Sequence, residues 1–386
     1  MKMITKIMGM TCISLFVSIY STEGLSLPKQ IKVGQVTAGP IKISELGIGT
    51  WSWGNRLLFD YDTSQDEEIY KAYRAVRSAG VSVFDTADSY GTLDLNGRAE
   101  ILLGQFERRF LQEKEMERIK SSNQNILSKL LSSNKDKDIV PQQVATKLAP
   151  YPWRITPNSI VSATKASLGR LEQDKLAIAQ LHWSCQNYQP IQERALWEGI
   201  ADVYDNGLCD AIGVSNYGPI QLNKIATFMK EERGGVPLAT AQIQYSLMTY
   251  QTAKDMNEVC DNLNCRLISY SPLCLGLLTG KYNLDNLPRS GNPRRNLFRE
   301  LLPGAKDLLN LLEVIAKDSN KSQSQVAINW ALCKKTVPIP GARTLKQAEE
   351  NLGAVGWKLD AATIEELDRA ALRVKKPMIQ NIFQTK

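Results

Sequence analysis

The sequence predicts an α/β fold, a (β/α)8 TIM barrel with an N-terminal β-hairpin cap and a C-terminal helix. Three observations lead there. Eight strand-like runs alternate with helix-like ones, spaced about thirty residues apart. A βα series of that length closes as a barrel more readily than it stays an open sheet. No linker or shift in composition divides residues 29–386, which therefore read as one domain.

Residues 1–28 stand apart as a targeting leader. Lysines at positions 2 and 6 precede an apolar run from Met8 to Tyr20. This is the charged-then-apolar order of a secretory-type signal, too short and too weakly apolar for a membrane span. It predicts an ER-type route, ending either in a plastid enclosed by extra membranes or in the secretory pathway. The mature chain is expected to carry no stable membrane span.

Residues 31–33 and 40–43, joined by a Gly-containing turn, read as the hairpin cap. Residues 46–50 are the first barrel strand, and Trp51 opens the loop after it. Gly47 and Gly49 resemble part of a dinucleotide fingerprint, but Ser52 stands where the third glycine belongs and no helix opens there, which weighs against a Rossmann fold. Residues 64–79 form an amphipathic helix with Ile69, Tyr73 and Val76 inward, ended by Gly80. Residues 81–85 are the second strand, and 97–110 a helix. Residues 107–138, rich in Lys, Glu, Ser and Asn, read as an extended, partly helical surface insertion.

Further strands are expected at 144–147, 176–183, 211–215, 239–245, 266–270 and 336–339. Helices at 157–171, 190–206, 219–231 and 252–262 separate them. Residues 273–303 form a Gly/Pro/Arg-bearing loop, long enough to suggest function. Helices at 305–317 and 322–334 precede the last strand, and 344–354 and 361–371 close the fold.

Composition removes several classes of function. The net charge is +7, but no basic stripe interleaved with aromatics appears, so nucleic-acid binding is not expected. Seven cysteines show neither a CxxC pair nor a framework spacing. Only one histidine, His182, is present, which excludes a metal site built on several imidazoles.

Four chemically capable residues fall at the ends of consecutive strands: Asp85, Tyr90 on the following loop, Lys147 and His182. Each alone has a structural alternative, as a helix cap, a packed ring, a strand-end lysine or a core histidine. Their common position at the C-terminal mouth, where barrel chemistry gathers, favours a site. A free phenol donates poorly at neutral pH, with a pKa of about 10. A neighbouring ammonium is expected to lower it, with Asp85 holding Lys147 in place and His182 orienting a carbonyl oxygen. The set offers an acid for a carbonyl but neither nucleophile nor metal, which leaves hydride addition from a nicotinamide. Ser215 and Asn216 could bond its carboxamide, Gln242 could add a third bond, and Tyr270 offers a face for stacking. Gly341 and Arg343 precede a helix carrying Gln347, Glu350 and Asn351, a phosphate site by helix N-terminus and charge, consistent with NADPH.

The segments FDTADSYG, VATK, QLHWS, GVSNYG, AQIQYS, SYSPL and VPIPGAR resemble, in order and spacing, the motifs of the aldo-keto reductases. The likeness runs from about residue 40 to the C-terminus. It implies a barrel, NADPH as cofactor and a small-molecule aldehyde as substrate. It further implies that Asp85, Tyr90, Lys147 and His182 are the catalytic tetrad, with Tyr90 the proton donor. The nicotinamide site would be Ser215, Asn216, Gln242 and Tyr270, continued by Ser271, Pro272 and Leu273. Gly49, Thr50 and Trp51 would meet the cofactor from the first strand, and Gly341, Arg343, Gln347, Glu350 and Asn351 would clamp its adenosine phosphate. More narrowly, GTWSWGN, APYPWRIT and the terminal MIQNIFQTK are similar to the branch of that family that reduces pyridoxal in plant plastids. Trp53, Tyr151, Trp153 and Trp183 could then wall a pyridine ring. A broad reductase of reactive carbonyls, or an NADPH-binding regulatory subunit, are the other readings.

Overall fold

In the computed structural model, which describes residues 32–124 and 139–385, an antiparallel hairpin comes first. It pairs β1 (Gln35–Ala38) with β2 (Ile41–Ser44). The first of these lies later than residues 31–33, and Ile31 falls outside the described residues. The hairpin plugs one end of the barrel. Ala38 and Ile43 pack with Val83, Ile268, Val337 and Ile339 in a small core of their own. The leader, residues 1–28, also lies outside the described residues.

Eight parallel strands follow in chain order: β3 (Ile48–Gly49), β4 (Val83–Ala87), β5 (Gln143–Leu148), β6 (Leu176–Leu181), β7 (Cys209–Ser215), β8 (Leu238–Gln244), β9 (Arg266–Tyr270) and β10 (Val337–Ile339). Each pairs with the next. The ring closes where Gly49 bridges Gly341 and where the Gly47 amide donates to the Pro338 carbonyl at 3.0 Å. Here the Gly47 and Gly49 pair finds its purpose. A Cβ on Gly49 would lie 2.9 Å from the Ile339 carbonyl oxygen, and one on Gly47 2.9 Å from the Ile339 side chain. The two glycines admit the last strand, and the expected (β/α)8 barrel is the observed one.

Local chemistry explains most helix boundaries. Proline occupies the first turn of the helices Pro157–Leu171, Pro190–Asp205, Pro219–Glu231 and Pro293–Asp318, where its missing N–H costs nothing. Ser322 and Gln325 form a reciprocal capping box that starts Gln323–Cys333. Thr344 and Asp360 cap Leu345–Leu352 and Ala361–Leu372 through their side chains.

Three helical expectations change. The helix at 97–110 continues as Arg98–Gln124, absorbing the first part of the 107–138 insertion; residues 125–138 lie outside the described set. That stretch is not all surface. Phe110 is buried, and Glu107 pairs with the buried Arg77 at 2.9 Å and accepts from Tyr73. The 252–262 helix divides into Tyr250–Ala253 and Met256–Asn262. The loop placed at 273–303 ends early, because Pro293–Asp318 runs on through Pro303. An interior proline removes one helix hydrogen bond. Burial of Phe298, Leu301, Leu302, Ala305 and Leu308 along one face carries the helix past it.

Candidate active site

Successive side chains of a strand point to opposite faces. The alternation that sends Val83 into the plugged end also turns Asp85 inward, and the register brings Lys147 opposite Ala87 and Gln180 opposite Lys147. Asp85 thus lies within β4 rather than at its end. Lys147 Nζ donates to Asp85 Oδ1 at 2.5 Å and to the Thr86 carbonyl at 2.8 Å. The other carboxylate oxygen, Oδ2, accepts from Gln242 Nε2 at 2.7 Å and from Gln180 Nε2 at 3.2 Å. Both charged side chains are buried. A buried pair is tolerable only when its remaining donors and acceptors are met, and here each carboxylate oxygen has a partner. Gln180 had no place in the sequence-derived site; a glutamine among the apolar residues of β6 was the available signal. The Gln242 amide nitrogen gives one bond to Asp85 and lies 3.5 Å from Gln180 Oε1.

Tyr90 follows on the loop. Gly91 makes this turn possible: its φ is 127°, and a Cβ there would collide with the Leu95 carbonyl. Lys147 Nζ lies 4.8 Å from the centre of the Tyr90 ring, and the Tyr90 and His182 rings sit 5.7 Å apart, edge to face. His182 stands one residue beyond β6, with Nδ1 3.4 Å from Ser89 Oγ. The four residues therefore meet at one mouth of the barrel.

The electrostatics correct one expectation. The Tyr90 phenol is held well above its ordinary range, first by burial and then by Asp85 and Tyr270, so the net shift is upward despite the ammonium nearby. Lys147 is itself pushed down by burial, against the pull of Asp85. His182 is held well below the imidazole range by burial and by Lys147, so its ring is neutral. The resting site keeps its phenol protonated.

Beside this cluster, β7 ends in Ser215 and is followed by Asn216, whose φ of 61° is left-handed. Asn216 Nδ2 donates to the His182 carbonyl at 3.0 Å and to Ser215 Oγ at 3.2 Å, and its Oδ1 accepts from the Tyr270 hydroxyl at 2.9 Å. Ser271, also left-handed, and Pro272 and Leu273 continue from β9. Thr50 donates to the Asp85 carbonyl through both its amide and its hydroxyl, and Trp51 packs edge-on against Phe59.

Across the mouth, Arg343 Nη1 donates to the Phe59 carbonyl at 2.5 Å, and its amide donates to Gln347 Oε1 at 2.8 Å. Asn351 is buried and donates to the Gly341 carbonyl at 3.2 Å. One carboxylate oxygen of Glu350 accepts from Ser322, the N-cap of a neighbouring helix. A cofactor phosphate fits here on three counts. A Cβ on Gly341 would meet only the Ser52 hydroxyl at 3.7 Å and the Gly49 carbonyl at 3.8 Å, that buried hydroxyl has no partner, and Arg343 supplies charge.

The proposed aromatic wall loses one member and gains another. Trp53 is fully buried, donates to the Ala342 carbonyl and packs on Tyr73 and Phe106; it belongs to the core. Tyr151 and Trp153 stack at 4.7 Å, with Trp153 exposed at the rim. Trp183 lies 4.7 Å from His182 and stacks at 4.4 Å on Phe383, a residue that strand-end reasoning could not reach.

The family model described as the aldo/keto reductase family matches residues 45–372. The chain belongs to the aldo/keto reductase family. It is similar to the chloroplastic pyridoxal reductase of Arabidopsis thaliana, 46% identical over 370 residues, which cover 96% of this chain and 94% of that one. Among solved structures it shares the fold of a glycerol dehydrogenase from Gluconobacter oxydans, with a TM-score of 0.67, 23% identity and coverage of 91% and 98% of the two chains. A Bombyx mori aldo-keto reductase in complex with NADP gives a TM-score of 0.61 at 18% identity, covering 88% of this chain and 93% of that one.

Proposed function

We propose that the protein reduces an aldehyde to its alcohol at the expense of NADPH, and that pyridoxal, reduced to pyridoxine, is its substrate. The observation that carries the reaction is the buried Lys147–Asp85 pair lying under the ring of a protonated Tyr90, next to a neutral His182. The likeness to the chloroplastic pyridoxal reductase supports the choice of substrate.

Bound NADPH would supply the hydride to the carbonyl carbon. Tyr90 gives its hydroxyl proton to the carbonyl oxygen as negative charge develops there. Because burial holds that proton firmly at rest, it moves only when the oxygen has become basic. The phenolate left on Tyr90 would lie beside Lys147, whose ammonium stabilises that charge and offsets part of the upward push of burial. Asp85, held by Gln180 and Gln242, fixes the ammonium. If Ser89 donates to Nδ1 of His182, the Nε2–H of the neutral ring is left to orient the carbonyl oxygen. Asn216 and Tyr270 would hold the nicotinamide end of the cofactor, and Arg343 its 2′-phosphate. Trp183 and Phe383 offer a flat apolar surface to a heteroaromatic ring.

NADPH oxidation measured across a panel of carbonyls tests this reading, with the highest kcat/KM expected for pyridoxal. Equal turnover of simple aldehydes would instead identify a broad carbonyl reductase. Slow turnover with stable capture of a membrane protein would identify a regulatory subunit. We assign the protein to a plastid by its chloroplastic relative. A fluorescent fusion of residues 1–30 that remains in the secretory pathway would remove that assignment.

A further inference from the structure

The C-terminal segment takes a path that core packing does not require. Met378 is tied to the loop after β8, its amide donating to the Met248 carbonyl at 2.9 Å. Gln380 Nε2 donates to the Gln244 carbonyl at 3.2 Å and to Thr252 Oγ1 at 3.1 Å. The chain then crosses the barrel mouth and meets the two residues expected to face the nicotinamide. The Asn381 side chain lies beside the Tyr270 hydroxyl. Asn381 Oδ1 accepts from the Phe383 amide at 3.0 Å, which leaves the amide nitrogen for Tyr270. The Tyr270 hydroxyl in turn donates to Asn216 Oδ1. At the far end, the Thr385 amide donates to the Asn216 carbonyl at 3.1 Å, and Thr385 Oγ1 accepts from the Gly218 amide at 3.0 Å.

These last bonds meet a specific need. The left-handed turn at Asn216 leaves its carbonyl outside the β7 ladder. The Gly218 amide, one residue before the helix Pro219–Glu231, likewise has no partner within that helix. Buried groups of this kind are costly to leave unpaired. A residue 167 positions away satisfies both, and it is itself buried.

We propose that residues 378–385 are an internal strap that sets the nicotinamide end of the site, with Thr385 and Asn381 as positioning residues acting through Asn216 and Tyr270. The strap rests on the cofactor reading given above. It touches Asn216 from two sides, at its main-chain carbonyl and, through Tyr270, at its side chain. Among the described residues, Gly341 and Arg343, at the expected adenosine-phosphate end, make no hydrogen bond to it. Removing the strap therefore loosens one end of the cofactor and leaves the other alone.

The test compares the full chain with a chain ending at Pro377 and with Thr385→Ala, Thr385→Ser and Asn381→Ala. Two ligands are titrated by tryptophan fluorescence: NADP+, and 2′,5′-ADP as the adenosine half alone. Single-turnover hydride transfer is followed with NADPH and its 4-deuterated form. The shortened chain is expected to bind 2′,5′-ADP unchanged, to bind NADP+ roughly tenfold more weakly and to transfer hydride roughly tenfold more slowly. Thr385→Ala and Asn381→Ala should each show part of that loss, and Thr385→Ser should recover it. Should the shortened chain fail to fold, the point variants carry the test. Unchanged NADP+ affinity and hydride transfer in the variants would overturn the strap, and so would equal weakening of both ligands, which signals general loosening. A full-length chain that binds neither ligand would instead overturn the cofactor reading beneath it.

Discussion

Two clusters of charge stand at the mouth of this barrel, and they are built on opposite terms. Asp85 and Lys147 are buried, and Gln180, Gln242 and the Thr86 carbonyl complete their bonding. Around Asp60, by contrast, the charges lie nearer solvent. Arg289 pairs with Asp60 while largely exposed, and Arg294 and Arg343 both flank the Phe59 ring, at 5.4 and 5.6 Å. Asp60 is held below the usual carboxylate range chiefly by Arg289, and Arg343 is pushed down by burial and by Arg294. The inner cluster balances its charge within itself. The outer one carries three guanidinium groups against one carboxylate, an arrangement that suits an arriving anion. Under the proposed reaction, the first would work on charge created during turnover and the second would collect charge already on a ligand.

The largest effect should come from the inner cluster. Tyr90→Phe is expected to lower kcat by about 10²–10⁴-fold, the usual worth of a positioned acid, while NADPH affinity stays within about twofold. Full activity in that variant would end the comparison, because Tyr90 would then not be the donor. Lys147→Ala should destabilise the fold by about 3–5 kcal/mol in urea unfolding, since it leaves Asp85 charged and buried. An unchanged midpoint would mean that the two glutamines suffice. At the outer cluster, Arg343→Ala should weaken NADPH by about 10- to 100-fold and NADH much less, as expected for a charged hydrogen bond to phosphate. Equal losses would show that Arg343 does not meet the 2′-phosphate. Arg289→Ala, which breaks an exposed pair, should leave the unfolding midpoint in place.

The smallest effect concerns pH. His182 is neutral in the folded chain and held well below 6.5, whereas the unfolded chain takes up a proton there near 6.5. The folded state then binds fewer protons. The stability this contributes is present above 6.5 and is lost as pH falls through and below that value. Urea midpoints of the wild type should fall more between pH 7.5 and 5.5 than those of His182→Gln. Parallel curves would mean that the imidazole titrates normally in the fold.

The tetrad was readable because it obeys strand periodicity: each member stands on or just past an apolar run, and the runs occur in barrel order. The helix Arg98–Gln124 was not readable past residue 110, because Glu107, Arg109 and Glu113 look like solvated charge until Arg77, Glu67 and Arg74 come to meet them. Pro303 signalled a boundary that burial on one face overrode. Trp53 stood beside cofactor-facing positions in sequence, yet its ring turns into the core.

Local pattern by itself determined the eightfold βα order, the placement of the four reactive side chains at one mouth and the absence of a multi-imidazole metal site, for these follow from spacing along the chain. Tertiary structure decided which bonds those side chains make and which way their proton affinities move. It also decided that Gln180, Phe383, Asn381 and Thr385 join them. Burial and partnership between residues far apart in sequence set those quantities, and no local pattern encodes them.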